Sequence, residues 1–315
     1  MSPELLESMR VVALPTKSNF RGVTYREVAL FKGVAGWGEF SPFLEYDAKE
    51  CVPWLQSAIA SATEPAPKLF RKKIKVNGTI PAVNEKAEIE TIVNSFPGVT
   101  TFKVKVGDDL SEDIARLVQV KSLSPKAELR IDVNGSWSVT EAIDNLKAIY
   151  ESIGELEYVE QPCATVEELC ELKEKLPFSI KIAGDEVIRK AADPFKVELA
   201  GAVDILVLKV QPLGGIQRAH KLAKHFGLPI VISSALESAV GINYGLQLAA
   251  SFEELFLDCG LGTGSLLKAD VANLPIIDGE ITLGNIEPDF NGLEVSPERY
   301  QWWKNRVLAT TEMMK

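Results

Sequence analysis

Histidine and cysteine, which carry much of enzyme chemistry, are scarce in this chain of 315 residues. The two histidines both lie in a lysine-rich stretch, 217–225, that has the pattern of an exposed helix surface. The four cysteines form no C-x-x-C pair and have no histidine at metal-ligand spacing, so we expect incidental or buried thiols in a reducing compartment. The sequence therefore argues against serine–histidine triads and histidine-ligated zinc, and acid–base chemistry must use other groups.

Long apolar runs, phosphate-binding glycine loops and an excess of positive charge are also missing. No apolar run approaches the roughly 18 residues that span a bilayer. No G-x-G-x-x-G follows a predicted strand, and the glycine-rich segment 260–264 is not followed by Gly-Lys-Ser/Thr. Lysine plus arginine number 34 against 44 acidic residues, and the net charge of −10 gives no footprint for nucleic acid or an anionic membrane. We expect a cytoplasmic enzyme with a small-molecule substrate; monomer and dimer both stay open.

Short β-favouring runs alternate with amphipathic segments from about residue 74 onward. The second run begins near residue 101 and the eighth near residue 255, which gives a period of about 26 residues, enough for one strand and one helix. Eight such units predict a closed β/α barrel. The predicted strands are Ile74–Ile80, Thr101–Val106, Glu128–Val133, Glu157–Gln161, Ser179–Ala183, Asp204–Val210, Pro229–Ser233 and Leu255–Gly260.

The first 72 residues do not follow this repeat. A strand at 23–31, a glycine-rich turn and a helix at 48–62 predict a small α+β domain. The barrel is expected to occupy residues 73–277, and part of 278–315 is expected to pack back onto the small domain.

Three lysines lie at predicted strand ends. Lys103 and Lys105 are two residues apart on one strand and therefore point to the same side. Burial and a neighbouring like charge both lower a lysine pKa, and a lysine tuned in this way can act as a general base. Lys209 ends the sixth strand, across the barrel from the second. We therefore predict Lys105 as a base, Lys103 as the group that lowers its pKa, and Lys209 on the other side of a substrate.

Three carboxylates end the third, fourth and fifth strands. Asp132, Glu160 and Asp185 are 28 and 25 residues apart, about one β/α unit each, so they converge on one rim. Carboxylates that meet in this way repel one another unless a cation lies among them, and oxygen ligands suit Mg²⁺ or Mn²⁺. Such a metal stabilises the enediolate formed when a proton α to a carboxylate is removed. Asn134 and Glu186 are predicted to support the metal ligands.

These motifs resemble the enolase superfamily, in its muconate-lactonising subgroup. The similarity rests on K-x-K at 103–105, D-x-N at 132–134, E-Q-P at 160–162, G-D-E at 184–186 and the lysine at 209. It covers essentially the whole chain. The resemblance implies an enolase-like α/β fold, a modified TIM (β/α) barrel under an α+β capping domain built from the N-terminus and part of the C-terminus.

Three segments, 20–22, 36–42 and 233–238, are similar to the o-succinylbenzoate synthases of menaquinone biosynthesis. This similarity implies a metal-dependent syn dehydration of 2-succinyl-6-hydroxy-2,4-cyclohexadiene-1-carboxylate to 2-succinylbenzoate. An N-acylamino acid racemase, dipeptide epimerase or muconate cycloisomerase on the same scaffold stays open. The segment 258–260 lacks the D-x-D of dipeptide epimerases, and 229–238 lacks the histidine of the mandelate-racemase branch.

The resemblance also implies roles for individual residues. Lys105 would take the α proton and return a proton to the leaving hydroxide, while Lys209 would lie over the opposite ring face. Arg21 lies in a loop expected to fold over the barrel mouth, where it would meet a carboxylate; an ordinary surface arginine is the alternative. From position alone, and not from the resemblance, Ser234 and Gly262 near the ends of the seventh and eighth strands are expected to offer hydroxyl or backbone N–H donors to the succinyl carboxylate.

Overall fold

Three sheets and a surrounding set of helices make up the fold in a computed structural model, which describes residues 1–20, 22–107 and 109–315. The strands are β1 (Arg10–Phe20), β2 (Val23–Gly33), β3 (Gly36–Phe40), β4 (Lys73–Lys75), β5 (Gly78–Ile80), β6 (Thr101–Lys105), β7 (Glu128–Asp132), β8 (Tyr158–Glu160), β9 (Ile182–Gly184), β10 (Ile205–Lys209), β11 (Ile230–Ser233) and β12 (Glu280–Thr282). The α-helices are α1 (Pro3–Glu7), α2 (Val52–Thr63), α3 (Lys86–Asn94), α4 (Leu110–Leu123), α5 (Val139–Ile153), α6 (Val166–Lys175), α7 (Glu186–Arg189), α8 (Ile216–Phe226), α9 (Ala239–Ala250) and α10 (Pro297–Met313). Within these ranges no helix combines the length and apolar character needed to cross a membrane.

Strands β5 to β11 form one parallel sheet in the order in which they occur along the chain. At the eighth position the sheet is continued by two parallel bridges, Ser233–Gly260 and Val76–Cys259. The carboxyl ends of all these strands therefore face one rim. The predicted modified TIM barrel is confirmed.

The first and eighth predicted strands are shorter than the sequence pattern indicates. The run Ile74–Ile80 is divided, because β4 pairs antiparallel with β12 while the N–H of Asn77 donates to the carbonyl of Cys259 at 2.9 Å. The eighth run forms only the two bridges, and the carbonyl of Asp258 accepts a hydrogen bond from the buried Arg130 side chain at 2.7 Å. The first run is thus shared between the barrel and the β4–β12 pair, and the eighth run is joined to the barrel by isolated bridges only.

Helix caps in the repeat agree with the sequence. The predicted helix 110–123 is α4, residue for residue. Ser138 and Thr165 each cap the following helix, and each forms a reciprocal capping box with the glutamate three residues later. These caps satisfy the first backbone N–H groups of α5 and α6 and fix where each helix leaves the rim.

The interior of the barrel has an apolar floor below a polar layer. Tyr158, Ala183, Ile205, Val207 and Val231 form a buried cluster inside the sheet. Side chains two residues further along a strand point the same way, so the next interior positions lie one layer nearer the rim. Those positions carry Glu160, Asp185, Lys209 and Ser233. The ionisable groups therefore stand on a dry surface, which increases the cost of leaving any of them unpaired.

The N-terminal residues form a second layer above this rim. Strands β1, β2 and β3 make an antiparallel sheet that packs against α2 and the C-terminal helix α10. Phe31, Trp54, Trp303 and Val307 belong to one buried cluster here. The Nε1–H of Trp303 donates to Glu27 of β2 at 2.9 Å. The last helix is thus part of the core that holds the N-terminal sheet.

Candidate active site

The ends of β6 to β10 bring six predicted ionisable side chains into one buried cluster. Lys105 lies opposite Asp132 in the strand register, and Asp132 lies opposite Glu160. The cluster consists of Lys103, Lys105, Asp132, Glu160, Asp185 and Lys209, and each side chain is at most 15% exposed. The sequence prediction of their convergence agrees with this geometry.

The two lysines of β6 are in different electrostatic environments. Lys103 Nζ lies 2.9 Å from Glu160 Oε2 and 3.2 Å from Asp132 Oδ2. Burial favours a neutral Lys103, but the charges of Glu160 and Asp132 outweigh it and raise its pKa well above the ordinary value. Lys105 Nζ lies 2.5 Å from Asp132 Oδ2 and 2.9 Å from Asn134 Oδ1. Its pKa is lowered, because burial, supported by the charge of Lys103, outweighs the attraction of Asp132. Lys103 is therefore a fixed cation, and Lys105 gives up its proton more readily.

The three carboxylates also differ in the direction in which their pKa values are shifted. Burial opposes ionisation of all of them. For Asp132 and Asp185 the neighbouring lysines outweigh burial and lower the pKa, whereas burial and the charge of Asp132 raise the pKa of Glu160. Lysine ammonium groups lie against these carboxylates, and no three acidic, histidine or cysteine side chains within the described ranges are already grouped around a common metal position.

The donor set nevertheless fits a divalent cation. Glu160 Oε1 and Glu186 Oε2 are buried and have no hydrogen-bond partner within the described part of the chain. A buried carboxylate oxygen without a partner loses its hydration and gains nothing in return, unless a cation reaches it. Three carboxylates on successive strands supply the hard oxygen ligands that such an ion prefers.

Asn134, Glu186 and Arg189 form a polar chain behind the carboxylates. Asn134 accepts from Lys105 and donates from Nδ2 to Glu186 Oε1 at 3.2 Å. Arg189 Nη2 donates to the same Glu186 oxygen at 2.5 Å, and its Nε donates to both oxygens of Asp185 at 3.1 Å. The backbone N–H of Asn134 also donates to Asp132 Oδ1 at 3.1 Å, so Asn134 contacts a candidate ligand directly, whereas Glu186 reaches Asp185 only through Arg189. The sequence analysis did not identify Arg189. It lies four residues after Asp185 and three residues after Glu186, and this spacing brings side chains together on a helix.

A small, partly enclosed cavity lies over the cluster. Phe43 and Trp54 of the N-terminal region form part of its wall. The barrel contributes Thr79, Pro212, Ser233, Ser234, Ala235, Gly260 and Thr263 to the lining. Sequence reasoning missed Phe43 and Trp54, because no local pattern states which capping residues face the barrel.

The three predicted substrate-binding residues differ in where they lie relative to the cavity. Ser234 lines the cavity, but its Oγ donates to the Gly260 carbonyl at 2.8 Å and lies 2.8 Å from Thr263 Oγ1. Gly262 does not line this cavity; a Cβ there would approach the carbonyl oxygen of Asn77 to 2.9 Å, so the prediction that it contacts substrate is not supported. Arg21 lies outside the described residues. The two histidines are on α8 and do not line the cavity either.

A buried carboxylate ties the capping layer to the rim. Glu39 of β3 accepts hydrogen bonds from the backbone N–H groups of Ser238 and Gly241 at 3.1 and 3.0 Å, and from the Ser238 hydroxyl. These groups start helix α9, so Glu39 satisfies its exposed N–H groups and complements its dipole. The same loop carries the cavity residues Ser234 and Ala235. Glu39 therefore fixes one wall of the site from the other domain.

Glu237 in this loop gives a prediction for pH dependence. Burial and the charge of Glu39 raise its pKa from 4.5 to about 7, while Arg26 opposes the shift. A carboxyl whose folded pKa is raised binds its proton more tightly in the folded state. It therefore favours folding most at low pH, and this contribution is lost as pH rises from about 4.5 through 7.

We expect Glu237→Gln, which cannot titrate, to gain stability relative to the unmodified protein as pH rises from 5 to 8. The gain in relative free energy of unfolding is on the order of 3 kcal/mol, from 1.36 kcal/mol per pKa unit. Urea unfolding with chelator present at each pH measures it. Parallel pH profiles for the two proteins would show that Glu237 does not titrate in this range.

Similarity to known families and sequences is extensive. Residues 87–297 match the family described as enolase C-terminal domain-like, and residues 11–62 match the one described as enolase N-terminal domain-like. The chain is 46% identical to the o-succinylbenzoate synthase of Mycobacterium ulcerans (strain Agy99), over 98% of this chain and 94% of the relative. The enzyme of the same name from Mycolicibacterium smegmatis is also 46% identical, over 97% and 96% of the two chains.

Solved structures show the same fold at lower identity. The L-Ala-D/L-Glu epimerase from Bacillus subtilis, in a substrate-liganded complex, has a TM-score of 0.74 at 20% identity, covering 91% of this chain and 98% of the other. The muconate lactonizing enzyme from Pseudomonas putida has a TM-score of 0.72 at 19% identity, covering 93% and 97%. At these identities the likeness concerns the architecture: a barrel with a capping layer.

Proposed function

We propose, from the premise that this chain belongs to the enolase superfamily, that it is an o-succinylbenzoate synthase, a hydro-lyase of menaquinone biosynthesis. The observation that carries the chemistry is the position of Lys105, whose pKa is lowered. Its ammonium contacts Asp132, which is one of three buried carboxylates on neighbouring strands. The substrate is supported by near full-length identity of 46% to o-succinylbenzoate synthases. The reaction is dehydration of 2-succinyl-6-hydroxy-2,4-cyclohexadiene-1-carboxylate to 2-succinylbenzoate.

Asp132, Glu160 and Asp185 would hold the divalent metal that the superfamily uses, and we propose Mg²⁺ or Mn²⁺ for this chain. When bound, the metal supplies positive charge against the substrate carboxylate, where negative charge develops during proton removal. The rest of the geometry concerns the chain's own residues. Lys103 stays charged between Asp132 and Glu160, and so neutralises part of the acidic cluster.

Lys105 is the proposed base. Its ammonium is positioned by Asp132 and Asn134, and its lowered pKa increases the neutral fraction that can accept the α proton at Nζ. After accepting the proton, the same Nζ donates a proton to the departing hydroxide, which completes a syn elimination. Lys209, on β10 across the cluster, contributes a cation to the other ring face. Phe43 and Trp54 close the cavity above and limit its exposure to water.

Racemisation of N-acylamino acids is the second candidate, and the position of Lys209 favours it. Lys209 is as deeply buried as Lys103 and faces the cavity from the opposite strand, as a two-base reaction needs. A racemase must use Lys105 and Lys209 in turn as acid and base, whereas the dehydration uses one of them for proton transfer. Solvent deuterium exchange at the α carbon in Lys105→Ala and Lys209→Ala separates the two reactions.

The decisive experiment follows the loss of ultraviolet absorbance of the cyclohexadiene substrate, with Mg²⁺ and with chelator. We expect fast loss with metal and none with chelator, because the three carboxylates alone cannot stabilise a developing negative charge. Slow loss by folded, metal-loaded protein, together with racemisation of an N-acylamino acid, would contradict the synthase assignment and support the second candidate.

A further inference from the structure

A second, larger depression adjoins the active-site cavity. It lies between the start of α2, the segment after α7 and the segment after β10. We call it the access groove. Its lining includes Lys49, Glu50, Trp54, Lys190, Pro212 and Arg218.

We propose that the access groove is the path by which the dianionic substrate reaches the active site. This inference rests on the proposed function, because it takes from it a substrate with one carboxylate on a six-membered ring and a second on its succinyl side chain. The groove and the active-site cavity share three lining residues, Trp54, Arg189 and Pro212. A thin wall of side chains therefore separates the outer depression from the catalytic cluster.

The shared wall is formed across the two domains. Arg189 is held from below by Asp185 and Glu186, and its Nη1 donates to the Tyr46 hydroxyl of the capping layer at 3.1 Å. Trp54 comes from α2 of the capping layer, and Pro212 follows β10. The wall between the groove and the active-site cavity thus depends on contacts between the capping layer and the barrel.

The charges of the groove are unbalanced. Lys49, Lys190 and Arg218 have no ion pair and no side-chain hydrogen bond among residues 1–20, 22–107 and 109–315. Among the same residues, Glu50 is the only acid in the lining, and it accepts a hydrogen bond from the N–H of Asp47 at 2.9 Å. Arg189 is neutralised by its own partners. The groove therefore has three unpaired cations and one acid.

This local charge opposes that of the whole protein. The net charge of −10 repels a dianion at long range. A cleft lined with cations and apolar walls concentrates field lines and raises the local concentration of an anion. Because exposed ion pairs are worth only about 0–1 kcal/mol, the groove attracts the substrate without trapping it. Trp54, Leu213 and Met313 provide apolar surface for the ring as it passes.

The test compares three charge-reversed variants of equal net charge, two in the access groove and one control. Lys190→Glu and Arg218→Glu each reverse a groove cation, and Lys126→Glu reverses an exposed cation between α4 and β7, at the opposite end of the barrel. Association and dissociation of 2-succinylbenzoate with Mg²⁺-loaded protein are followed by stopped-flow tryptophan fluorescence, with Trp54 as the nearby reporter. Binding of this product needs no turnover.

We expect each groove variant to lower the association rate constant about three- to tenfold at low ionic strength, with a smaller change in the dissociation rate constant. The difference should shrink to less than about twofold near 0.5 M salt, where screening is nearly complete. Lys126→Glu should behave as the unmodified protein. Equal effects in all three variants, or effects that salt does not diminish, would overturn the inference while leaving the proposed function intact. Absence of both turnover and product binding in the unmodified protein would overturn the two together.

Discussion

Replacing Lys105 by methionine is expected to lower kcat for the dehydration by about 10³-fold, within the 10²–10⁴ that a positioned general base contributes. Methionine keeps most of the side-chain volume but has no group that accepts the α proton. Within the cavity, Lys105 is the lysine whose pKa is lowered, and Lys103 is held as a cation by two carboxylates. Initial rates of absorbance loss with saturating Mg²⁺ measure the effect.

Two controls are needed to attribute this loss of kcat to the missing base. Lys126→Met removes a surface lysine at the opposite end of the barrel and should leave kcat unchanged. Thermal unfolding of Lys105→Met should show a folded protein, because Asp132 keeps Lys103 as a partner at 3.2 Å. A folded Lys105→Met protein that kept a tenth or more of the activity would assign proton removal to another group, with Lys209 as the first candidate.

Replacing Glu160 by glutamine is expected to reduce turnover by about 10³-fold, because a metal's charge stabilisation is worth several kcal/mol. The metal-induced rise in melting temperature should disappear as well. In metal-free protein, however, the substitution should cost little stability. Glu160 is fully buried, one of its oxygens has no partner, and burial already raises its pKa. A neutral amide relieves that unfavourable burial, and Lys103 retains Asp132.

Asp185→Asn is the matched comparison for Glu160→Gln. It also removes a carboxylate ligand, but it is expected to lower the stability of the metal-free protein. Lys209 and Arg189 both depend on Asp185, at 2.5 and 3.1 Å. Removal of one partner from a buried ion pair typically costs about 3–5 kcal/mol, since the other charge is left uncompensated. We therefore expect Asp185→Asn to lower the stability of metal-free protein where Glu160→Gln does not. A metal response that survives in either variant would show that the altered residue is not a metal ligand.

The convergence of these lysines and carboxylates at one rim could be predicted from the sequence, for a physical reason. Strand alternation placed Lys103 and Lys105 on one side, and the β/α repeat placed Asp132, Glu160 and Asp185 on neighbouring strand ends. Both inferences use periods that the backbone imposes, and ionisable groups in buried runs stand out against apolar neighbours.

The capping contacts were much less predictable. Glu39 accepts a hydrogen bond from a residue 199 positions away, and Phe43 and Trp54 line a cavity whose other walls come from the barrel. No local period of the sequence encodes such contacts. Strand β1 was missed because its exposed lysine and its proline weaken the β signal, although it pairs with β2 over most of its length. Gly262 was assigned to substrate from position alone, whereas close approach to Asn77 explains a glycine there.

The placement of α10 has a consequence for the order in which the protein can mature during synthesis. The sheet made by residues 10–40 shares its buried core with Trp303 and Val307, which are translated after the barrel. The Glu27 carboxylate, likewise, gains Arg299 and Trp303 only at that stage. Until then, part of the apolar surface of the N-terminal sheet has no partner. Although domains generally fold from the N-terminus during synthesis, we expect this sheet to finish packing after the barrel and to need chaperone contact in the meantime.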